Sequence, residues 1–410
     1  MGMIRIGVIG YGVRMDMLMD QLSGLCVEAK VVAVADKNPD RVKALMRKND
    51  SAQVQHQMEI DKIDGLLRKC PMDPDKITFY EDAEEMLDKE QLDGVMLGTP
   101  CNTHARLAKL VLDRNMPLFL EKPVGICKED LDLLKECSRT TKSPVVVSFP
   151  LRSTSMIREA KKIIDAGIIG KVDHVQAFND VGYGFVYYHD WYRDESKAHG
   201  LFLQKATHDI DVINYLAGEK PVRVCAMKSK QIFKGDMPAG LRCSECDRTE
   251  ECMESTYNIE RTRSDTPRSD YCCYAVDTGN EDSGSMIVQY ESGMHAIYSQ
   301  NFFARKKAAR RGARIYGYKG TLEYDFTKDE ILVYDHMSDK ETRIQFHTPA
   351  DGHGGGDQVL IQNFVDLIRG KTTKSIAPLN AGIISAEVCL AAKEASETLE
   401  YQEIEGGDSK

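Results

Sequence analysis

Residues 4 to 15 read Ile4-Arg-Ile-Gly-Val-Ile-Gly10-Tyr11-Gly12-Val13-Arg14-Met15, an apolar run broken by a Gly-x-Gly turn that opens a helical pattern. A chain turning this sharply out of a strand needs a residue without Cβ at Gly10, and Gly12 lets backbone N–H groups approach a phosphate at a helix start. Met15 stands where the third glycine of G-x-G-x-x-G belongs, so the fingerprint is incomplete. The context supplies more. A second β-branched run, Val31-Val-Ala-Val-Ala35, ends in Asp36, 24 residues after Gly12 and near the spacing of a carboxylate that accepts from an adenosine ribose. Strand, turn and acid together predict a dinucleotide-binding unit, against the plainer alternative of a glycine turn with a helix-capping aspartate.

Apolar strands alternate with amphipathic stretches through roughly the first 150 residues. Helical patterns run over 39–48 and 53–68, followed by a strand at 76–80, a helix at 82–89 and the strand Gly94–Leu97. Thr99-Pro100 breaks the chain, and Asn102 or Thr103 can cap a helix reaching Arg114. Then come Pro117 to Pro123, a helix over 128–140 and a strand over 144–149. This alternation predicts an α/β fold with a doubly wound parallel sheet, whose ligands bind at the carboxyl ends of the strands, where Gly12, Asp36, Thr99 and Lys122 fall. Beyond Phe149 the alternating segments 171–178, 284–290, 293–303 and 313–318 suit a mostly antiparallel sheet with one covered face, accompanied by helices over 154–166, 207–216 and 357–400. The expected division is a Rossmann domain over 1–125 and an α+β domain over 126–410.

A chain of 410 residues suits two domains, and 42% hydrophobic with 29% charged residues is a globular composition. A formal charge of −10 argues against nucleic acid as a partner, and no apolar run is long enough for a bilayer. The first strand pattern begins at residue 4, which leaves no room for a signal peptide and leads to the expectation of a cytoplasmic protein. In that compartment the twelve cysteines are expected as thiols or metal ligands.

Glu121-Lys122-Pro123, on a strand end about 110 residues after the glycine turn, gives the chain its resemblance. With Gly10 to Arg14, Asp36, Thr99-Pro100 with His104, Arg152 and His208-Asp-Ile-Asp211, it resembles the Gfo/Idh/MocA family of glucose-fructose oxidoreductase and inositol dehydrogenase along nearly its whole length. The resemblance implies a Rossmann domain, an open-faced sheet domain that often mediates oligomerisation, NAD(H) as cofactor, a sugar or cyclitol substrate, and so a homo-oligomer. Residues matching its cofactor site are Gly10, Tyr11, Gly12, Val13, Arg14, Asp36, Thr99, Pro100, Asn102, His104, Glu121 and Lys122. Asp36 would repel a 2′-phosphate, which favours NAD over NADP, although Lys37 and Arg41 could soften this.

Oxidising a secondary alcohol requires hydride departure to the nicotinamide and removal of the hydroxyl proton by a positioned acid/base. Lys122, on the cofactor edge, matches the family's lysine near the reacting oxygen, and His208 matches its active-site histidine. Asp209 and Asp211 are expected in the first turn of the following helix, where carboxylates favour the dipole. One position departs from the pattern: many relatives carry an aspartate four residues before the histidine, and here it is Gln204, followed by Lys205. Glutamine hydrogen-bonds a hydroxyl but cannot take its proton. Two other functions stay open, a glycoside hydrolase that oxidises its substrate transiently with bound NAD, and a non-enzymatic sensor of NAD or sugar.

Further substrate contacts are expected from Arg152, from Trp191 and Arg193 as an aromatic face beside a polar fork, and from Gln204, Lys205 and His353. Asp357 reads more simply as a helix N-cap after Gly354 to Gly356, and the basic run Arg305 to Arg314 as a solvated strand connection. The segment over 235–273 is polar and poor in large apolar residues, so a staple would explain its order. Structural zinc on Cys243, Cys246, Cys252 and Cys272 (or Cys273) is one reading, an iron–sulfur cluster another, and unliganded thiols a third.

Overall fold

A computed structural model describes residues 2–25, 29–47, 73–263, 267–349 and 353–405; the helix expected over 53–68 lies outside them. β1 (Ile4–Ile9), β2 (Ala29–Ala35), β3 (Thr78–Tyr80), β4 (Gly94–Leu97), β5 (Leu118–Leu120) and β6 (Val145–Val147) form a parallel sheet in the order β3-β2-β1-β4-β5-β6. The order reverses between β1 and β4, so the chain after β1 and after β4 opens a crevice at the carboxyl edge. β4, β5 and β6 are buried at every residue, as strands covered on both faces must be. The connecting helices include α1 (Val13–Leu25), α2 (Ala83–Lys89), α3 (His104–Leu112) and α4 (Lys128–Thr140). The Asp82 side chain caps α2, and α4 buries Leu131, Leu134 and Cys137 at helical spacing. Thr103 precedes α3 but makes no side-chain cap bond.

The second sheet has nine strands: β7 (His174–Asp180), β8 (Pro221–Ser229), β9 (Ser283–Tyr290), β10 (His295–Asn301), β11 (Arg310–Tyr316), β12 (Gly320–Asp325), β13 (Glu330–Asp335), β14 (Glu341–Gln345) and β15 (Gln402–Glu403). Their order is β14-β13-β12-β11-β7-β10-β9-β8-β15, antiparallel except for β7 beside β10. Strict alternation in β9 and β10 buries Met286, Val288, Tyr290, Ala296, Tyr298 and Gln300 on one face. The helices after the first sheet are α5 (Ser155–Asp165), α6 (Thr207–Ala217), α7 (Gly356–Ile368) and α8 (Leu379–Thr398), with several short turns between.

The chain divides into one unit of 1–154 with 349–383 and another of 155–348 with 384–410. This moves the expected boundary from 125 to 154, because β6 pairs with β5 and completes the first sheet. The C-terminal helices are shared out as well: α7 belongs to the first unit, where Val147 N donates to Ala377 O at 2.8 Å. Among the described residues no helix is long and apolar enough to cross a membrane.

Candidate functional site

In the first unit Gly10 has φ +77°, and a Cβ there would fall 2.4 Å from Thr99 Cγ2 and 2.9 Å from Thr99 Cα. The turn therefore requires glycine twice over, by conformation and by contact with the chain leaving β4. A Cβ on Gly12 would meet nothing within 4 Å, so the loop is open on that side. Met15 is buried, and the glycine that makes room for it is Gly98, whose Cβ would fall 2.6 Å from Met15 Cε. The close packing that a third glycine gives the usual fingerprint is supplied here from the opposite partner.

Asp36 follows β2 and holds the turn. Its Oδ2 accepts from Tyr11 N at 2.9 Å and Arg41 Nη2 at 3.2 Å, while Oδ1 accepts from Asn38 N at 2.9 Å. The Tyr11 ring is buried and its hydroxyl meets Asp16 Oδ1 at 3.0 Å, so Tyr11 presents its backbone to the loop. Val13 is exposed at the start of α1, and Asn102 is exposed beyond β4. The Thr99 and Thr103 hydroxyls lie 2.6 Å apart, and Thr103 Oγ1 donates to Pro100 O.

His104 is fully enclosed between two loops, with Nδ1 2.7 Å from Pro123 O and Nε2 2.8 Å from Thr99 O. Burial holds its pKa below the ordinary value. A neutral ring carries one N–H, so it donates to one carbonyl at a time. It thus braces the loops after β4 and β5 against each other.

After β5, Glu121 is buried; its Oε1 accepts from Arg14 Nε at 3.0 Å and its Oε2 from Lys122 N at 3.3 Å. Lys122 precedes a cis peptide to Pro123. Arg14 continues the network with Nη1 and Nη2 on Asp357 at 2.7 and 2.6 Å and Nη2 on Ser148 Oγ at 3.0 Å. His353 Nδ1 lies 2.8 Å from Asp357 Oδ2. Burial alone would raise the Asp357 carboxyl, but hydrogen bonds from Arg14 and His353 outweigh it and hold the group well below the ordinary range. Asp357 is therefore not the expected N-cap: Gly355 occupies the cap of α7, and Asp357 is the buried counter-ion of Arg14. Arg152 is buried with Nη1 donating to Ile376 O at 3.1 Å.

In the second unit a π-helical stretch, Phe202–Ala206, runs directly into α6. Asp209 lies in the first turn of α6, as expected, and Asp211 two residues further on, with the π-helical stretch leading into that turn. The start of the stretch is held by buried Glu281, whose Oε1 accepts from Leu201 N at 2.8 Å and Phe202 N at 3.2 Å. Gln204, Lys205 and His208 are all buried. Gln204 Nε2 donates to Ala198 O at 2.8 Å, and Lys205 Nζ donates to the Tyr183 hydroxyl. Asp209 accepts from Asn179 Nδ2 at 2.8 Å, Tyr298 hydroxyl at 2.9 Å and Arg311 Nε at 2.7 Å. Arg311 thus leaves the expected solvated connection and joins a buried pair on β11.

Trp191 stacks on Tyr192 with ring centroids 4.0 Å apart and is 37% exposed. Arg193 is buried and engaged with Asp277 at 2.7 Å, Thr278 Oγ1 at 2.8 Å and Cys272 O at 3.3 Å, so the expected substrate fork is a clamp on the 271–278 segment. The metal staple is not supported: among the described residues no three His, Cys, Asp or Glu side chains converge as a metal requires. Burial raises the thiols of Cys243, Cys272 and Cys273, favouring the protonated form. The segment is ordered by other means, with Phe233 and Cys273 packed against Tyr188 and Phe302, Asn258 Nδ2 donating to the Glu250 and Cys252 carbonyls, and Asp270 accepting from Arg242 and Ser244.

Sequence reasoning missed Asp357 as a partner of Arg14, and the set Asn179, Tyr298, Gln300 and Arg311. No spacing announces either. The one available signal was the polar Asn179 and Gln300 at buried positions of alternating strands.

The family described as "Oxidoreductase family, NAD-binding Rossmann fold" matches residues 4–149, and "GFO/IDH/MocA C-terminal domain" matches 157–323. YteT of Bacillus subtilis is 27% identical over 331 residues, 72% of this chain and 76% of that protein. Inositol 2-dehydrogenase of Rhizobium meliloti is 27% identical over 245 residues, 58% of this chain and 62% of its own length. Among solved structures, an oxidoreductase domain protein from Kribbella flavida has a TM-score of 0.75 at 17% identity, covering 98% of this chain and 100% of that one. Scyllo-inositol dehydrogenase from Lactobacillus casei, solved with NAD(H) and scyllo-inositol, has a TM-score of 0.65 at 18% identity, covering 98% and 99%. Both halves of the chain thus match one family in sequence and fold, and the protein belongs to the GFO/IDH/MocA family of NAD-binding oxidoreductases.

Proposed function

We propose that the protein moves a hydride between NAD(H) and a secondary alcohol of a sugar or cyclitol, with Lys122 exchanging the hydroxyl proton and His208 sharing it. The observation that carries this reading is the placement of Lys122 at the carboxyl end of β5, its backbone N–H held by Glu121, which is itself tied to Arg14 at the glycine turn. The relatives named inositol 2-dehydrogenase and levoglucosan dehydrogenase support the substrate class. The same reading extends to a cytoplasmic homo-oligomer.

NAD fits these residues. Gly12 is open where a backbone N–H must approach a phosphate, and Asp36 uses three of a carboxylate's roughly four acceptor sites, leaving capacity for a ribose hydroxyl. Bound there, the nicotinamide supplies the hydride acceptor. The chain's residues do the rest: Glu121 and His104 fix the backbone on either side of Lys122, and the lysine amine takes the hydroxyl proton as the hydride leaves carbon.

Lys122→Ala is expected to lower turnover by about two to four powers of ten while NAD affinity stays within a few fold. Steady-state NADH formation and calorimetric NAD titration measure the two. Near wild-type turnover in the variant would end the assignment.

A further inference from the structure

Asn179 on β7 lies in register with Gln300 on β10 and with Arg311 on β11, so three polar side chains form a row across the helix-covered face of the sheet. Their neighbours on that face, Ala177, Tyr298 and Ala313, are buried, and so are Asn179 and Gln300. Asp209 of α6 receives the Asn179, Tyr298 and Arg311 donors. Two donors in the row are left over. Arg311 Nη2 and Gln300 Nε2 are buried and meet no acceptor among the described residues. A buried donor without an acceptor is unfavourable, and two of them adjacent in one row, beside a buried lysine, point to an occupant with acceptor atoms.

Charge gives the occupant's sign. Lys205, one helical turn before Asp209, is buried with its ammonium on the neutral Tyr183 hydroxyl and 4.7 Å from that ring's centroid. Tyr183 also lies within electrostatic reach of Arg311. The cluster therefore sets two cations, Arg311 and Lys205, against one anion, Asp209. A buried surplus of one positive charge is unfavourable unless something negative completes it. Tyr183 is 48% exposed, which marks the side from which the cluster can be reached. The adjoining Gly184 is pressed onto the end of β10, since a Cβ there would fall 1.9 Å from Phe302 O, and this fixes the loop that carries Tyr183.

We propose that Arg311, Gln300 and Lys205 form an anion subsite that takes a carboxylate on the substrate, so that the preferred substrate is an acidic sugar or carboxylated cyclitol and not a neutral polyol. The proposal rests on the alcohol-oxidoreductase reading above. A single surplus charge matches a monoanionic carboxylate better than a phosphate, which carries nearly two negative charges at neutral pH. Arg311 contributes donors suited to a planar acceptor, Lys205 a compact charge, and Gln300 a neutral donor.

The test compares sugar acids with their own amides, which removes the charge without touching the protein. NAD-loaded protein is presented with galacturonate, glucuronate and a carboxylated cyclitol, each beside its amide, and with glucose, myo-inositol and glucose 6-phosphate. NADH formation reads turnover, and saturation-transfer NMR reads binding independently of chemistry. At least one acid is expected to exceed its amide by roughly 10- to 100-fold in kcat/KM, the range of a charge-assisted hydrogen bond. Acids that bind without forming NADH would leave the subsite standing and overturn the oxidoreductase reading. Turnover in which every amide and neutral polyol equals the acids would overturn the subsite and leave that reading intact. Preference for glucose 6-phosphate, or no acid bound at all, would also overturn it. Arg311→Met removes the ion pair to Asp209 together with the subsite, so Gln300→Leu and Lys205→Met are the informative variants. Each is expected to shrink the acid–amide ratio, and Lys205→Arg to restore it; a loss shared equally by acid and amide would overturn the assignment.

Discussion

Arg14 in the first unit and Arg311 in the second each meet an aspartate within a largely buried network, yet the two guanidinium groups are used differently. Arg14 engages all three nitrogens, with Glu121 on Nε, Ser148 on Nη2 and both oxygens of Asp357 on the fork. Arg311 gives Nε to Asp209 and keeps Nη2 buried without an acceptor. Burial opposes charge at both, and carboxylates offset it at both, so both pKa values stand above the ordinary arginine value. What separates them is satisfaction. A fork with every nitrogen engaged is a brace, whereas one with a nitrogen left over in the same low-dielectric setting is poised to receive something.

The comparison is open to direct attack. Arg14→Met leaves Asp357 and Glu121 as buried carboxylates without their cation and is expected to cost about 3–5 kcal/mol of unfolding free energy by urea titration. Arg311→Met is expected to cost less, because Asp209 keeps its Asn179 and Tyr298 donors. Equal losses would erase the distinction between brace and site.

Acid titration sharpens the contrast. The folded-state pKa of Asp357 is depressed below the ordinary 3.8, so its contribution is fully present above that value and is lost as pH falls through the lower folded one. The stability gap between wild type and Asp357→Asn should therefore be wide at about pH 5 and narrow on going below about pH 3. A gap that does not change with pH would remove the Arg14–Asp357 pair from the account.

The smallest effect is expected at Gln204. Its amide donates to Ala198 O, and Gln204→Asp loses that donor and leaves the carbonyl unsatisfied at a buried position, for a loss of about 1–3 kcal/mol in stability and unchanged or slightly lower turnover. A clear gain in turnover on inositol or simple hexoses would show that the chain lacks a base it needs, and would displace Lys122 as sufficient.

Much of the fold was legible because local chemistry repeats. β4 lies at Gly94–Leu97 and α4 at Lys128–Thr140, where apolar runs and helical spacing place them. The strands β12 to β14 were not read, since their short polar-flanked segments resemble loops until β11 is there to pair with them. At the site, the residues before helices and after strands were visible as motif positions. Their partners were not: Asp357 stands 343 residues from Arg14, and Arg311 stands 102 from Asp209. Periodicity carries no information across such distances. It also gave no sign that the turn before His208 is π-helical, or that Glu281, 80 residues on from Leu201, holds its start.

The return of residues 349–383 to the first unit bears on how the protein is made. Translation at about 5–20 residues per second puts roughly 20 to 70 seconds between the emergence of Arg14 and that of Asp357. During that interval Arg14 has Glu121 and Ser148 but lacks its aspartate, and the nucleotide-binding half cannot close its brace until residues 155–348 of the second unit have been made. The order of synthesis thus leaves the cofactor half, the first to be written, incomplete until close to the end of the chain, with only residues 384–410 of the second unit following it.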